Sequence, residues 1–240
     1  MFSTLSLAIP ILLLLVSPSP AFAFDPDALL TSFRSTGFAQ AFSLIFLSEI
    51  GDKTFFIAGL LAMKTSRLTS FIGSLLALTV MTFISVSIGQ LFHAVPPGLT
   101  NGLPLDDYAA IAAFTFFGFK TLKESFDLST KMEDEAADAS AAVSSSAPSD
   151  STFYGLVASA FALVFAAEFG DRSFLATIAL GAAQNPVQVF GGAVAGHAIA
   201  TAIAVLGGSV IAKYISEKVI GYIGGSLFLV FAVTTALGVF

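Results

Sequence analysis

The sequence predicts an all-α integral membrane protein with six transmembrane helices, arranged as two inverted three-helix repeats behind an N-terminal hydrophobic segment. The 240 residues are 56% hydrophobic and only 11% charged, whereas soluble domains carry about 25% charged residues. Six apolar segments are each long enough for a span, which needs roughly 20 apolar residues. In addition, one acidic motif occurs in both halves of the chain.

The first 23 residues predict a signal peptide or an N-terminal hydrophobic segment. Their apolar stretch, residues 5–16, is short for a membrane span, and Ala21-Phe22-Ala23 has the small-residue pattern of a cleavage site. No lysine or arginine precedes the stretch, which is unusual for a signal peptide. An uncleaved extra helix therefore stays open as the alternative.

The rest of the chain divides into two repeats, residues 37–126 and 152–240, joined by an acidic Ser/Ala-rich linker at residues 127–151. The predicted helices cover residues 37–63, 68–92, 108–125, 153–183, 187–212 and 217–240. The linker has few large apolar side chains and cannot bury enough surface to fold alone. We therefore expect it to be flexible.

A constant offset relates the two halves. Glu49 and Glu168 are 119 residues apart (168 − 49). The same offset pairs Asp52 with Asp171, Lys53 with Arg172, Thr54 with Ser173, Gly73 with Gly192, Thr82 with Thr201 and Gly89 with Gly208. Three helices are an odd number, so the second copy enters the membrane from the opposite side, as in many secondary transporters.

Basic residues support this inverted arrangement. If the first predicted helix begins outside, all but one of the lysines and arginines beyond the spans lie on the inner side, the exception being Arg34. The inner residues are Lys64, Arg67, Lys120, Lys123, Lys131, Lys213 and Lys218. Because positive residues accumulate in cytoplasmic loops, the linker is expected on the cytoplasmic side, or on the stromal side in an organelle.

The repeated motif places charged groups near the middle of two predicted helices. Such groups cost several kcal/mol unless they are paired or hydrated, and they usually serve a function. On a continuous helix Glu49 and Asp52 share one face, because they are three residues apart. Inverted repeats would bring this face together with its counterpart at the midplane. The predicted metal ligands are Glu49, Asp52, Glu168 and Asp171.

The charge of this predicted site suits a divalent cation. Four carboxylates with Lys53 and Arg172 leave a net charge of about −2, which one divalent ion or protons would neutralise. Carboxylate and hydroxyl oxygens, the latter from Thr54 and Ser173, favour Ca²⁺, Mg²⁺ or Mn²⁺. The chain has no cysteine, so a thiolate-selected metal is not expected. Two glycines within the motifs, Gly51 and Gly170, are expected to permit close helix packing, or a local opening of the helix that exposes backbone carbonyls.

His197 is a further candidate, as a proton carrier, a metal ligand or only a polar tether. It lacks a repeat counterpart, since the offset pairs it with Leu78. The structural alternative for the whole motif is a set of interhelical salt bridges that only brace the bundle. Two symmetric copies in the membrane favour the functional interpretation.

The doubled motif Glu-x-Gly-Asp-(Lys/Arg)-(Ser/Thr), in two three-helix halves, resembles the Gdt family of manganese and calcium transporters. The resemblance covers about residues 37–240, and Ser48-Glu49-Ile50-Gly51-Asp52-Lys53-Thr54-Phe55-Phe56 is most similar to photosynthetic members. It implies exchange of Mn²⁺, or alternatively Ca²⁺, for protons at the motif acids. It also implies a cyanobacterial plasma or thylakoid membrane, or a chloroplast membrane.

On this interpretation the protein is a transporter rather than an enzyme, and it holds no permanently bound cofactor. Its partners are a divalent ion, protons and the lipid bilayer, and a homodimer is compatible with the sequence. There is no basic patch for a nucleic acid. A passive cation channel and a non-transporting membrane assembly factor are the alternatives. The accompanying basic residues favour an exchanger over a channel.

Overall fold

The computed structural model describes residues 36–94, 105–127, 131–146, 152–211 and 217–238. The predicted signal segment lies outside these residues. Within them the chain forms nine α-helices and no strand. The helices are α1 (Thr36–Glu49), α2 (Lys53–Lys64), α3 (Arg67–His93), α4 (Leu105–Asp127), α5 (Lys131–Ser145), α6 (Phe153–Glu168), α7 (Arg172–Ala183), α8 (Pro186–Ile211) and α9 (Glu217–Ala236).

The helices have the length and surface of an integral membrane protein. Three of the described helices, α3, α8 and α9, are long and apolar enough to cross a membrane, and α6 with α7 forms a fourth span if the bent pair is counted as one. Large apolar side chains such as Phe83, Phe119 and Val230 are more than half exposed, as expected of a surface that faces lipid. The all-α membrane class is thereby confirmed, and the six-span inverted repeat stays a prediction.

Helix bounds follow the 119-residue offset. Shifting α2 by this offset gives residues 172–183, the bounds of α7, and shifting α3 gives 186–212 against 186–211 for α8. The halves pack crosswise, with α1 on α8 and α6 on α3. A Cβ on Gly192 would collide with the Phe38 carbonyl, and one on Gly73 with the Val157 carbonyl. Glycine at these contacts allows the crossing helices to approach closely, and this packing brings the two motifs together at the centre.

The predicted helices over residues 37–63 and 153–183 are each broken at the motif, which corrects the expectation of continuous helices. The Asp52 amide donates to the Glu49 carbonyl at 3.2 Å, and the Asp171 amide donates to the Glu168 carbonyl at 3.1 Å. In the second motif Phe169 has φ −64° and ψ 113°, and Gly170 follows it with φ +84°. These values define a type II β-turn. In the second motif the axes of the flanking helices differ by 75°.

The two motif glycines share a backbone conformation that other residues rarely adopt. Gly51 has φ +81° and Gly170 has φ +84°, in the region where residues with a Cβ are strained. A Cβ on Gly170 would meet nothing within 4 Å. The backbone conformation of the turn, rather than close helix contact, explains Gly170.

The linker is also more ordered than expected. Lys131–Ser145 forms α5, which packs along α2. Ala139 and Val143 are 0% and 3% exposed and belong to an apolar cluster with Ile57 and Leu61 of α2. The expectation of a flexible linker was wrong for this segment because it treated the linker alone, whereas α2 supplies the surface that α5 buries. We call this end of the bundle the linker end, and the end at His93 the far end.

Candidate functional site

Each motif divides its acids between two half-helices. Glu49 is the last residue of α1 and Glu168 the last of α6, while Asp52 and Asp171 are the N-cap residues of α2 and α7. The two acids of one motif therefore lie on either side of a turn, not on one helix face as predicted. Half-helix ends of this kind expose backbone dipoles and carbonyls, and they form the ion sites of many transporters.

The two glutamates form the most buried layer of the site. Glu49 and Glu168 are only 3% and 2% exposed. The Thr54 hydroxyl donates to Glu49 Oε2 at 2.9 Å, and the Ser173 hydroxyl donates to Glu168 Oε1. Glu49 Oε1 and Glu168 Oε2 are buried without a hydrogen-bond partner among the described atoms. Since such oxygens are costly to bury, each glutamate retains one oxygen suited to a cation or a proton.

His197 lies near both glutamates. Its Nδ1 is 3.5 Å from Glu49 Oε1, and the same side chain lines a small cavity beside Glu168. The residue is 4% exposed, and no described atom forms a hydrogen bond with Nδ1. Its repeat counterpart Leu78 is buried in the apolar cluster near α5. The asymmetry predicted from sequence is therefore present. Glu49 has a histidine beside it, whereas the equivalent position in the first repeat is the apolar Leu78.

Arg172 joins the two motifs. One guanidinium nitrogen, Nη2, donates to Asp52 Oδ1 at 3.3 Å and to the Ser48 carbonyl at 3.3 Å. The Ser48 carbonyl belongs to the last turn of α1, where backbone carbonyls have no intrahelical partner. The base of the second motif thus binds both the acid and the helix end of the first motif.

Lys53, the repeat counterpart of Arg172, points elsewhere. Its Nζ lies 3.4 Å from Asp138 Oδ2 on α5, and the two side chains are 34% and 69% exposed. Asp171 instead accepts a hydrogen bond from the Ser173 amide at 3.3 Å and caps α7. The net charge predicted from four acids and two bases therefore does not describe this conformation, because Lys53 is paired outside the motifs.

A cavity of about 260 Å³ leads to the aspartates, and we call it the vestibule. Asp52, Asp171 and Arg172 lie along its wall, together with Glu124 near the end of α4 and Glu135 of α5. These last two residues place the vestibule toward the linker end. Neither glutamate of the motifs is among its lining residues. The Arg172–Asp52 pair thus lies on the wall of the vestibule, and the two glutamates do not.

The small cavity has a volume of about 10 Å³ and shares no lining residue with the vestibule. Its lining includes Glu168, Ser173, His197, Thr82 and Ser85. This volume is close to the minimum for one water molecule. The predicted match of Thr82 with Thr201 has a local explanation at Thr82, whose hydroxyl donates to the Leu78 carbonyl at 2.8 Å.

The four predicted ligands are not assembled into one coordination shell. No group of three or more acidic, histidine or cysteine side chains in the described ranges is arranged to hold a metal. The acids are nevertheless close enough for Glu49 to interact electrostatically with Glu168, Asp52 and Asp171. A cation that bound both glutamates would therefore need a rearrangement of these side chains.

Sequence reasoning missed Asp138, and it named a local opening at the motif glycines without identifying the turn. Asp138 has no repeat counterpart and lies within a segment of low complexity, so only its packing on α2 indicates a role. The turn did have a sequence signal, since glycine before aspartate is typical of a turn followed by an N-capped helix.

Sequence comparison finds relatives among chloroplast and cyanobacterial proteins. The chain is 49% identical over 226 residues to the chloroplast PAM71-homolog protein of Arabidopsis thaliana, covering 90% of this chain and 63% of that protein. It is 42% identical over 204 residues to the GDT1-like protein sll0615 of Synechocystis, covering 83% of this chain and 96% of that one. The chain thus spans less than two thirds of the chloroplast relative. No solved structure matches it.

The family comparison covers both repeats and omits most of the linker. The model of the family described as divalent cation/proton antiporter GDT1 matches residues 37–129 and 156–240. Both motifs, both half-helix turns and His197 fall within these ranges. The chain belongs to the GDT1 family of divalent cation/proton antiporters.

Proposed function

We propose that this chain exchanges one divalent cation for protons across a membrane, with Glu49 and Glu168 as the shared binding groups. The observation that carries the proposal is the pair of buried glutamates at the helix breaks. Each accepts a hydroxyl hydrogen bond on one oxygen and has a second oxygen that is buried without a hydrogen-bond partner among the described atoms. Two deprotonated glutamates have a charge of −2, which suits one divalent ion or two protons. Competition for the same oxygens couples the two.

The vestibule supplies the route to these glutamates in this conformation. A cation that entered from the linker end would first meet Asp52 and Asp171. It would compete with Arg172 for Asp52, and displacement of the guanidinium would open the way to the glutamate layer. The Arg172 guanidinium lies on this route and would have to be displaced for each ion that passes. This requirement argues against a passive channel.

The oxygen ligands favour a hard divalent ion, and they do not distinguish Mn²⁺ from Ca²⁺. Resemblance to photosynthetic members favours Mn²⁺. The chloroplast and cyanobacterial relatives support a location in a chloroplast or cyanobacterial membrane, with the plasma and thylakoid membranes as the bacterial alternatives. Asp52 and Asp171 are proposed to pass the ion to the glutamates. His197 is proposed to orient Glu49.

The test is Mn²⁺ uptake by the purified protein in sealed vesicles with an imposed pH gradient. We expect uptake to require the gradient, and the apparent affinity for Mn²⁺ to increase as pH is raised on the binding side. The sign follows from competition, because fewer protons then occupy the carboxylates. Ca²⁺ added as a competitor measures the preference between the two ions. Uptake that persists when the gradient is collapsed would identify a passive channel.

Glu49→Gln and Glu168→Gln test the shared site. Each removes one negative charge with little change in volume, and we expect uptake at the level of protein-free vesicles for both. Asp107→Asn is the matched control, since it makes the same chemical change at the start of α4, outside both motifs. Normal transport by Glu168→Gln would contradict a shared site. Absence of uptake by the unaltered protein would favour the assembly-factor alternative.

A further inference from the structure

The two half-helices that follow the turns have different neighbours. α4, the third helix of the first repeat, packs on α7. The equivalent contact would place α9 on α2, yet the main contacts of α9 are with α4 and α1, and the linker helix α5 packs along α2 instead. One half-helix is thus held by the other repeat and its counterpart by the linker.

The two ends of the bundle also differ, because the far end is closely packed and the linker end has a cavity. At the far end, Gln90 Nε2 donates to the Gly181 carbonyl at 2.6 Å, and Gly89 lies so close to Ile178 and Ala182 that a Cβ there would collide with their backbone atoms. At the linker end, the vestibule reaches the motif aspartates. The structure is therefore closed beside α7 and open toward the linker end.

Inverted repeats change access when the halves exchange their arrangements. In the exchanged state α2 would take the closed position that α7 has here, and α9 would pack on α2 as α4 packs on α7. α5 occupies that surface, with Ala139 and Val143 buried and the Val143 carbonyl 3.4 Å from Lys64 Nζ. The exchange therefore cannot be completed while α5 stays on α2.

We propose that α5 is a latch on α2 that must leave for the access change, and that Asp138 is a positioning residue within it. Asp138 binds the Lys53 ammonium group and keeps it away from the motif acids. When α5 leaves, Lys53 can turn toward Asp171, as Arg172 turns toward Asp52 here. This inference rests on the proposed exchange function, since a latch has an effect only if access alternates.

A reversible cross-link tests the latch directly. The chain has no cysteine, so Lys64→Cys with Val143→Cys gives the only two thiols, and neither residue belongs to the motifs. We expect a reducible thiol cross-linker between them to lower Mn²⁺ exchange at least tenfold, and reduction to restore it. Single-cysteine variants treated with the same reagent are the controls. Full exchange by the cross-linked protein would overturn the proposal, whereas no exchange before cross-linking or after reduction would count against the transport function itself.

Asp138→Asn tests the positioning role. The pair with Lys53 is largely exposed and holds weakly, so we expect the maximal rate to rise about two- to fivefold with the KM for Mn²⁺ unchanged. Asp138→Glu should restore the original rate. Asp134→Asn is the matched control because it removes one charge from an exposed position on the same helix. An unchanged maximal rate in Asp138→Asn, or an equal rise in Asp134→Asn, would overturn the role of Asp138.

Discussion

The two motifs share a backbone and differ in their partners. Both form the same turn, with glycine φ values of 81° and 84°, and both glutamates accept a hydroxyl hydrogen bond. The bases differ: Arg172 crosses to the opposite motif, while Lys53 turns outward to α5. Backbone symmetry with asymmetric partners is what one conformation of an alternating pair of repeats should show.

The residue types fit this division. A guanidinium presents several donors in a fixed plane, so Arg172 can bind a carboxylate and a carbonyl at once. The lysine ammonium is a compact charge on a flexible stem, suited to changing partners. The difference between the motifs is thus partly encoded in the choice of base. It also predicts which substitutions should act equally on both motifs and which should not.

The largest expected difference concerns the two bases. Arg172→Gln removes the guanidinium that pairs with the Asp52 carboxylate, whose side chain is 10% exposed. Breaking a buried pair in this way costs about 3 kcal/mol or more. Lys53→Gln breaks an exposed pair worth at most about 1 kcal/mol. Thermal unfolding in detergent should therefore show a much lower midpoint for Arg172→Gln than for Lys53→Gln. Equal midpoints would contradict the asymmetry of this conformation.

The glycines should show the opposite behaviour, an equal effect in both motifs. Gly51→Ala and Gly170→Ala each force a Cβ into a positive φ, at a cost of about 1–2 kcal/mol. Gly224→Ala is the matched control, because a Cβ there also meets nothing within 4 Å but the residue is helical. Unfolding should be unchanged or slightly harder in the control. A Gly170→Ala protein as stable as the control would remove the turn as the reason for the motif glycine.

Much of the fold follows from the sequence, because long apolar segments have few alternatives in a membrane. The predicted helix at 68–92 corresponds to α3, and that at 187–212 to α8. The turns were not identified because the apolar segments on either side of each motif were assigned to one span. The local signal, glycine before an N-capping aspartate, is weaker than the apolar pattern around it.

The candidate site shows the same limit. The offset identified the acids, hydroxyls and bases before their positions were known, since each residue type has a chemical role that does not depend on geometry. It could not indicate which base pairs with which acid, because repeat symmetry treats Lys53 and Arg172 alike. The linker helix was missed for a related reason: the surface that orders α5 belongs to α2, and composition describes only the segment itself.

The smallest expected effect concerns the hydroxyls that bind the glutamates. Ser173→Ala removes the hydroxyl hydrogen bond to Glu168 Oε1, while Thr54→Val leaves Glu49 with His197 3.5 Å away. A hydrogen bond to a charged group contributes about 1.5–3 kcal/mol at most, and about 1 kcal/mol is usual for a neutral one. Loss of the donor favours the protonated glutamate, so the apparent affinity for Mn²⁺ at fixed pH should fall.

We expect a decrease of about fivefold for Ser173→Ala and a smaller one for Thr54→Val, measured as the Mn²⁺ concentration at half-maximal uptake. Ser173→Thr retains the hydroxyl and should keep the original affinity, which separates the hydrogen bond from a change in volume. If Thr54→Val weakened Mn²⁺ binding more than Ser173→Ala, His197 would not compensate at Glu49. The asymmetry between the motifs would then be confined to the bases and the linker helix.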